Sequence, residues 1–414
     1  MEKSFESKLR QYARLVVSVG VNVQKGQPVM IACPVDCAYF ARMLTEEAYK
    51  AGAKDVIISW RDDFCSRQHW LYADDSLFDA VYPWEADQRN TLGREGVAYI
   101  AISAQDPENL KGVDPERQRR YNIAAGRDLK EFYRLEMSNG FPWCVVSIPI
   151  PAWAKKVFPN ASEEEAMAML WDEIFNAVRI KEGGDAVAEW HEHCKRLEEN
   201  AKKMTQYAFA ELHYKNSAGT DLKVKMPDNH IWLAGGDDAK SGVRFVANMP
   251  TEEVFSAPLR TGVDGTLVAT KPLVLNGNVV EGIKFTFKDG RIESIHADAN
   301  EQTLKNEVGL DEGSHYLGEI ALVPYDSPIS LSGVLFFNTL FDENASCHFA
   351  FGEAYPACVE GGDDLSPEEL LARGINAESN THVDFMVGSR DLTITGVTKD
   401  GREIPVFVNG NFAI

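Results

Sequence analysis

The first 150 residues alternate between short, largely apolar runs and segments with helical spacing. A helical segment at 38–51 is closed by Gly52. The apolar runs are 28–32, 54–60, 97–103 and 143–148. Strands that are covered on both faces have continuous apolar sequences, and parallel strands are usually connected by helices. The alternation therefore predicts an α/β front domain with a doubly wound, mostly parallel sheet.

The pattern changes after residue 207, where apolar and polar residues alternate along the runs 222–226, 282–288 and 391–397. Alternation with a period of two is typical of strands that bury one face. Asp289-Gly290 directly follows the second run, and this dipeptide is typical of a tight hairpin. We therefore expect an α+β domain rich in antiparallel strands.

Two helices are predicted between these regions. Ser162 with Glu165 forms a capping-box pattern at the start of the first helix. Gly183-Gly184 ends that segment, and a strongly charged amphipathic helix follows. The predicted bounds are 1–184 for the α/β domain, 185–206 for a bridging helix and 207–414 for the second domain.

The composition excludes several classes of protein. The chain has 414 residues with 63 acidic against 42 basic side chains, a net charge of −21, which argues against nucleic-acid or membrane-surface binding. Seven scattered cysteines do not form a disulfide framework and indicate reduced core residues. The first residues lack the features of a signal peptide, and the apolar run 15–23 is too short to span a membrane. We expect a soluble, cytoplasmic protein.

Several common catalytic motifs are missing from the sequence. Gly-Lys never occurs, which excludes a Walker A loop, and no G-x-G-x-x-G follows a predicted strand. There is also no G-x-S-x-G and no H-E-x-x-H. His191 and His193 are two apart on a predicted helix, so their side chains point in opposite directions and do not hold one ion together.

The remaining histidines and acids of the second half suggest metal binding. His382 and Asp384 are two apart in a predicted strand and therefore share one face. Glu319 enters an apolar strand, where a carboxylate needs a partner or a cation. With Glu253 and His348 they make three carboxylates and two imidazoles, the ligand types of a dinuclear site. The plainer interpretation of His348 is a capping or core histidine.

Five stretches of the second half carry a family resemblance. They are NMPTEEVFSAP, GVDGTLVATKPL, DEGSHYLGEIALVP, NTLFDENASCH and HVDFMVGSRDLTI. In order and spacing they resemble the signature blocks of the thermophilic-type metalloaminopeptidases, the family of aminopeptidase T, aminopeptidase S and PepS-like proteins. The resemblance extends over essentially the whole chain and is closest from residue 216 onward.

The resemblance implies a set of site residues and cofactors. The implied metal ligands are Glu253, Glu319, His348, His382 and Asp384. It also implies two divalent metal ions, with zinc or cobalt favoured and manganese or magnesium admitted, and Glu319 or Asp384 as the bridge between them. Tyr355 matches the active-site tyrosine of the family, although a packed aromatic is the plainer interpretation of that residue alone. The family further implies a homodimer.

The implied function is hydrolysis of the N-terminal peptide bond of short peptides by a metal-activated water. The Tyr355 phenol would donate a hydrogen bond to the developing oxyanion, and Glu319 or a neighbouring acid such as Glu252 would carry the proton to the leaving amine. Two alternatives remain. One is a different dinuclear metallohydrolase, an amidase or phosphoesterase, and the other is a binding protein whose histidines are structural.

Overall fold

The computed structural model of the chain describes residues 3–275 and 278–414. The chain forms two compact units, one from its start to Glu192 together with Gly236–Pro250, the other from His193–Gly235 and Thr251–Ile414. The segment 236–250 groups with the first unit because its strand Asn248–Met249 pairs with Trp143–Val146, about a hundred residues earlier. Local sequence patterns do not reveal such a pairing, and the predicted domain bounds did not include it.

The helices and strands are numbered in chain order. The helices are α1 Lys3–Leu15, α2 Ala38–Ala51, α3 Asp63–Tyr72, α4 Pro83–Arg94, α5 Pro115–Asp128, α6 Lys130–Met137, α7 Pro151–Val157, α8 Glu163–Ala177, α9 Ala186–Tyr207, α10 Glu301–Val308, α11 Pro328–Ser332, α12 Thr339–Asp342 and α13 Pro367–Ala372. The strands are β1 Pro28–Pro34, β2 Asp55–Arg61, β3 Ala98–Ile102, β4 Trp143–Val146, β5 Glu211–Lys215, β6 Asp221–Lys225, β7 Leu233–Ala234, β8 Asp237–Asp238, β9 Arg244–Phe245, β10 Asn248–Met249, β11 Val254–Ser256, β12 Val263–Val268, β13 Leu273–Leu275, β14 Asn278–Val280, β15 Lys284–Lys288, β16 Arg291–His296, β17 Leu317–Leu322, β18 His348–Gly352, β19 His382–Met386, β20 Thr393–Val397, β21 Glu403–Val408 and β22 Asn411–Phe412. Among the described residues, no helix is both long and apolar enough for a membrane span.

The first unit is built on a parallel sheet of order β10-β4-β3-β1-β2. The chain starts in β1, moves outward to β2 and returns to the other side of β1, which is the reversal of a doubly wound sheet. Every residue of β1 is buried, as its continuous apolar sequence predicts. At the start of α8 the Ser162 side chain accepts a hydrogen bond from the Glu165 amide, in the predicted capping box. The predicted α/β front domain is confirmed.

The second unit contains two large antiparallel sheets and the two-stranded antiparallel sheet β13-β14, which confirms the predicted α+β class. One large sheet has the order β16-β15-β12-β6-β5-β20-β21-β22 and the other β19-β18-β17-β11-β7. Strands β15 and β16 form a hairpin around Asp289 and Gly290, as the sequence predicts. This hairpin is local and follows from turn chemistry.

The core of the second unit lies between the two large sheets. Phe285 of β15 packs on Phe385 of β19, with ring centroids 5.1 Å apart, and on Phe351 of β18. Because side chains alternate along a strand, burying Phe351 and Phe385 turns their sequence neighbours to the opposite face of the sheet. The hydrophobic core therefore determines which side chains of β17, β18 and β19 face the candidate site.

Candidate metal centre

The register of three adjacent strands brings the predicted ligands to one face. Glu319 in β17 lies opposite Ala350 in β18, and Ala350 lies opposite Asp384 in β19. His348 and His382 are each two residues before one of these positions and share their face. Ala350 has only a methyl group, so the four longer side chains converge above it.

A bulge in β17 sets the direction of Glu319. The register between β17 and β18 shifts between Leu317 and Glu319, so Gly318 is the extra residue. A Cβ on Gly318 would lie 2.4 Å from the Gly352 carbonyl oxygen, a distance that no side chain tolerates. Glycine is therefore required at the bulge, directly before the carboxylate at the centre of the cluster.

Glu253 joins the cluster from the neighbouring strand. It directly precedes β11, whose first residue Val254 lies opposite Leu322 at the end of β17. Its Oε2 is 3.3 Å from the His348 Nε2 atom. The fifth predicted ligand therefore approaches His348 from a fourth segment of the chain.

The five side chains form two overlapping groups of ligand atoms. Each group has its atoms within 4.8 Å of one another: Glu253, Glu319 and His348 in one, and Glu319, His382 and Asp384 in the other. Glu319 belongs to both, because its Oε1 lies 3.4 Å from His348 Nε2 and its Oε2 lies 3.4 Å from His382 Nε2. The first group is the more buried, since the His348 side chain is 1% exposed and that of His382 is 27% exposed.

Backbone contacts orient both imidazoles. His348 Nδ1 lies 3.1 Å from the Ser346 carbonyl oxygen, and His382 Nδ1 lies 2.7 Å from the Glu353 carbonyl oxygen. A carbonyl oxygen only accepts hydrogen bonds, so each Nδ1 carries a proton. In the neutral ring the lone pair is then on Nε2, the atom that points into the cluster. Metal-binding histidines in proteins are commonly oriented in this way.

The electrostatics of the cluster show an excess of negative charge. Burial raises the pKa of Glu319, but interactions with His348 and His382 outweigh it and lower that pKa to about 2. Burial lowers the pKa of both imidazoles, and the facing carboxylates more than offset this, so each pKa is well above its usual value. Burial raises the pKa of Glu253. Without another cation nearby, the cluster draws protons onto its histidines.

Tyr355 lies beside the cluster. Its ring centroid is 5.6 Å from that of His382 and 6.0 Å from that of Phe255. Burial and the surrounding carboxylates, Glu319 foremost, raise the pKa of the phenol well above its ordinary value. The hydroxyl therefore keeps its proton at neutral pH and is a hydrogen-bond donor next to the ligands.

Sequence reasoning missed Glu343, which is half-buried and close to the predicted ligands. Burial and the charges of Asp384 and Glu253 raise its pKa well above the usual value. Its Oε1 lies 3.4 Å from the side-chain amide of Asn344. The available signal was its position in the same DENASCH block as His348, five residues earlier.

The donor set fits divalent metal ions. Within the described chain, the carboxylates of Glu253, Glu319, Glu343 and Asp384 form no ion pair with a lysine or arginine. Asp384 Oδ1 is buried and makes no hydrogen bond with the described residues. Imidazole nitrogen and carboxylate oxygen together suit zinc, cobalt or manganese.

Comparison with known proteins gives consistent matches. A model of the thermophilic metalloprotease (M29) family matches residues 5–412. Aminopeptidase AmpS of Bacillus subtilis (strain 168) is 47% identical over 410 residues, 99% of both chains. Aminopeptidase 2 of Geobacillus stearothermophilus is 42% identical over 409 residues, 99% of this chain and 98% of that one.

The chain is also similar to solved structures. Wild-type AmpT from Thermus thermophilus has a TM-score of 0.92 and 37% identity, covering 99% of this chain and 100% of that one. A 2,5-dihydroxypyridine dioxygenase from Pseudomonas putida KT2440 has a TM-score of 0.52 and 12% identity, covering 98% of this chain and 97% of that one. The second likeness shows the fold alone. Because proteins of one fold can have different activities, the function must be inferred from the side chains of the site and not from the fold.

Proposed function

This chain belongs to the thermophilic metalloprotease (M29) family, and we propose on that basis that it is a dinuclear metal-dependent aminopeptidase acting on short peptides. The observation that carries the proposal is the convergence of two ligand groups on Glu319. Relatives named as aminopeptidases, at 47% and 42% identity over nearly the whole chain, support cleavage at the N-terminus.

Charge and geometry both favour two ions. Each oxygen of Glu319 faces a different imidazole, so one carboxylate serves both ligand groups. The second group is completed by Asp384 and the first by Glu253. Glu253, Glu319, Asp384 and Glu343 carry four negative charges when all of them are ionised, and two divalent ions would balance that charge.

In this proposal Glu253, His348 and Glu319 hold one ion, and Glu319, His382 and Asp384 hold the other. Divalent ions in such a site lower the pKa of a bound water and polarise a carbonyl oxygen. The ligand types leave zinc and cobalt as the favoured ions, with manganese or magnesium admitted.

Two further roles concern the oxyanion and the proton that the leaving amine requires. The Tyr355 phenol, protonated at neutral pH, donates a hydrogen bond to the oxyanion that develops as the scissile carbonyl is attacked. Glu319 or a neighbouring acid such as Glu252 was expected to carry the proton to the leaving amine. The Glu252 carboxylate lies against His193, and both oxygens of Glu319 serve as ligand atoms in this proposal, so we assign the proton transfer to neither of them.

A chelation experiment tests the proposal. The protein is stripped of metal, its metal content is verified by elemental analysis, and release of the N-terminal residue from a short peptide is followed before and after zinc or cobalt is restored. We expect activity to vanish and return, with about two ions per chain in the active form. The same peptide with an acetylated N-terminus is the matched control and should remain uncleaved. Full activity without metal would contradict the proposal.

A phosphoesterase is less well supported, because within the described chain the cluster acids have no lysine or arginine partner that would also bind phosphate. The homodimer implied by the family resemblance stays a prediction. Sedimentation at micromolar concentration tests it, and a monomer there would contradict it.

A further inference from the structure

The backbone directly before Glu253 is held by a buried histidine. His193 in α9 is 3% exposed, and its Nε2 lies 2.8 Å from the Thr251 carbonyl oxygen. Because a carbonyl oxygen only accepts, Nε2 carries the proton and donates it. This interaction joins a helix to a segment 58 residues later in the chain.

A buried asparagine holds the other end of the same peptide group. Asn344 Oδ1 accepts a hydrogen bond of 2.7 Å from the Glu252 amide, and its Nδ2 donates one of 3.0 Å to the Leu340 carbonyl oxygen. Asn344 is fully buried. Two side chains from distant parts of the sequence therefore hold the two ends of one peptide group, Thr251–Glu252, one residue before Glu253.

The Glu252 side chain also lies against His193. Its Oε2 is 3.7 Å from His193 Nε2, and both side chains are 4% exposed. On the next residue, the Glu253 carboxylate reaches the opposite partner, His348. Holding Glu252 against the helix thus sets the direction in which Glu253 leaves the backbone.

We infer that His193 is a positioning residue for the metal centre, which aligns the Glu253 carboxylate by holding Thr251 and Glu252. The inference rests on the proposed function, because it takes Glu253 as a ligand. Partners behind the ligands of a metal site commonly contribute 10–100-fold to metal affinity or activity, because a ligand that is free to turn binds less tightly. His193 makes no contribution as a ligand in this scheme.

The test compares zinc affinities of full-length variants. Metal-free protein is titrated with Zn²⁺ in competition with a chromophoric chelator. In His193→Gln the longer amide side chain still donates to the Thr251 carbonyl, whereas in His193→Asn it is too short to reach. We expect His193→Asn to weaken the affinity for one of the two ions by about 10–100-fold, and His193→Gln to recover most of the loss.

Leu197→Ala is the matched control. Leu197 is buried one turn further along α9 in the hydrophobic core, so the substitution lowers the melting temperature without touching Thr251. We expect its zinc affinity to equal that of the wild type. At saturating zinc, His193→Asn should regain most of its kcat, because the defect is in holding the ion.

Two results would count against the inference and are distinguishable. Equal zinc affinity in the wild type and His193→Asn would overturn it and leave the proposed function intact. Failure of the wild type to bind zinc, cobalt, manganese or magnesium would overturn the proposed metal centre, and the inference with it.

Discussion

Glu136 in the first unit and Glu319 in the second are both carboxylates at least partly withdrawn from water, and their pKa values shift in opposite directions. Burial raises the pKa of Glu136 from 4.5 to about 7, and the charge of Arg89 offsets only part of this effect. Burial acts on Glu319 in the same direction, but two imidazoles lower its pKa to about 2. Burial alone neutralises an acid, so an interior carboxylate stays ionised only where the fold supplies partners.

The choice of partner also differs between the surface and the cluster. On the surface of both units arginines pair with carboxylates, as in Arg120 with Asp79 and Arg402 with Asp400. An arginine remains charged at every relevant pH and would neutralise its partner permanently. An imidazole can give up its proton and offer a lone pair instead. The histidines of the cluster can therefore lose a proton and bind an incoming metal ion, whereas an arginine would stay protonated and could not bind it.

The same substitution at the two acids should give the largest contrast. Glu319→Gln removes the anion shared by both ligand groups, and we expect kcat/KM to fall by at least about 10³-fold, as when a central charge-stabilising group is lost. Glu136→Gln is the control and should leave kcat/KM unchanged. Retention of activity by Glu319→Gln within tenfold of the wild type would show that the shared carboxylate is not the centre of the site.

The buried and the more exposed halves of the cluster should differ in stability. In metal-free protein, His348→Ala leaves Glu253 buried without a cationic partner and Glu319 with His382 alone, which should cost about 3–5 kcal/mol of unfolding free energy. His382→Ala should cost clearly less, because its side chain is 27% exposed and water can replace it. Denaturant unfolding of both variants measures the difference, and equal losses would refute the distinction.

Most of the fold was predictable because its signals are local. The apolar runs of the first unit, the capping box at Ser162 and the hairpin at Asp289 depend on residues close in sequence. The two ligands on β19 were placed on one face by the period of the strand alone. Their metal-binding role stays a prediction, since it was carried by the family resemblance.

The missed features depend on contacts between distant residues. From the sequence, His193 was considered only as a possible metal ligand together with His191, and that pair was excluded. Only the fold shows that His193 contacts the Thr251 carbonyl oxygen. The residues next to Glu343 in the sequence are polar, so no apolar run indicates that its side chain is partly buried. The raised pKa of Glu136 comes from burial that its exposed-looking helix sequence does not indicate. Tertiary packing decides all three, and neither composition nor spacing reports it.

Zinc should raise the melting temperature only of those variants that keep the Glu319 carboxylate. If two divalent ions replace the protons on the cluster, zinc at 100 times its dissociation constant should stabilise the protein by about 2.7 kcal/mol for each ion. The gain should appear as a higher melting temperature for the wild type. Glu319→Gln should show little shift with zinc, whereas Glu136→Gln should shift as the wild type does. A zinc-dependent shift of full size in Glu319→Gln would place the binding elsewhere.

The smallest effect concerns Glu136 and has a defined sign. Its pKa is about 7 in the folded protein against an ordinary 4.5, so between these pH values the unfolded chain has lost a proton that the folded chain retains. Stability therefore falls as the pH rises through this window, and the loss is complete above pH 7. Glu136→Gln removes the titration, so it should be more stable than the wild type by roughly 1–2 kcal/mol at pH 8 and equal to it at pH 4. Denaturant unfolding at both pH values checks this. A difference that does not depend on pH would mean that packing, and not the withheld proton, distinguishes Glu136 from Glu319.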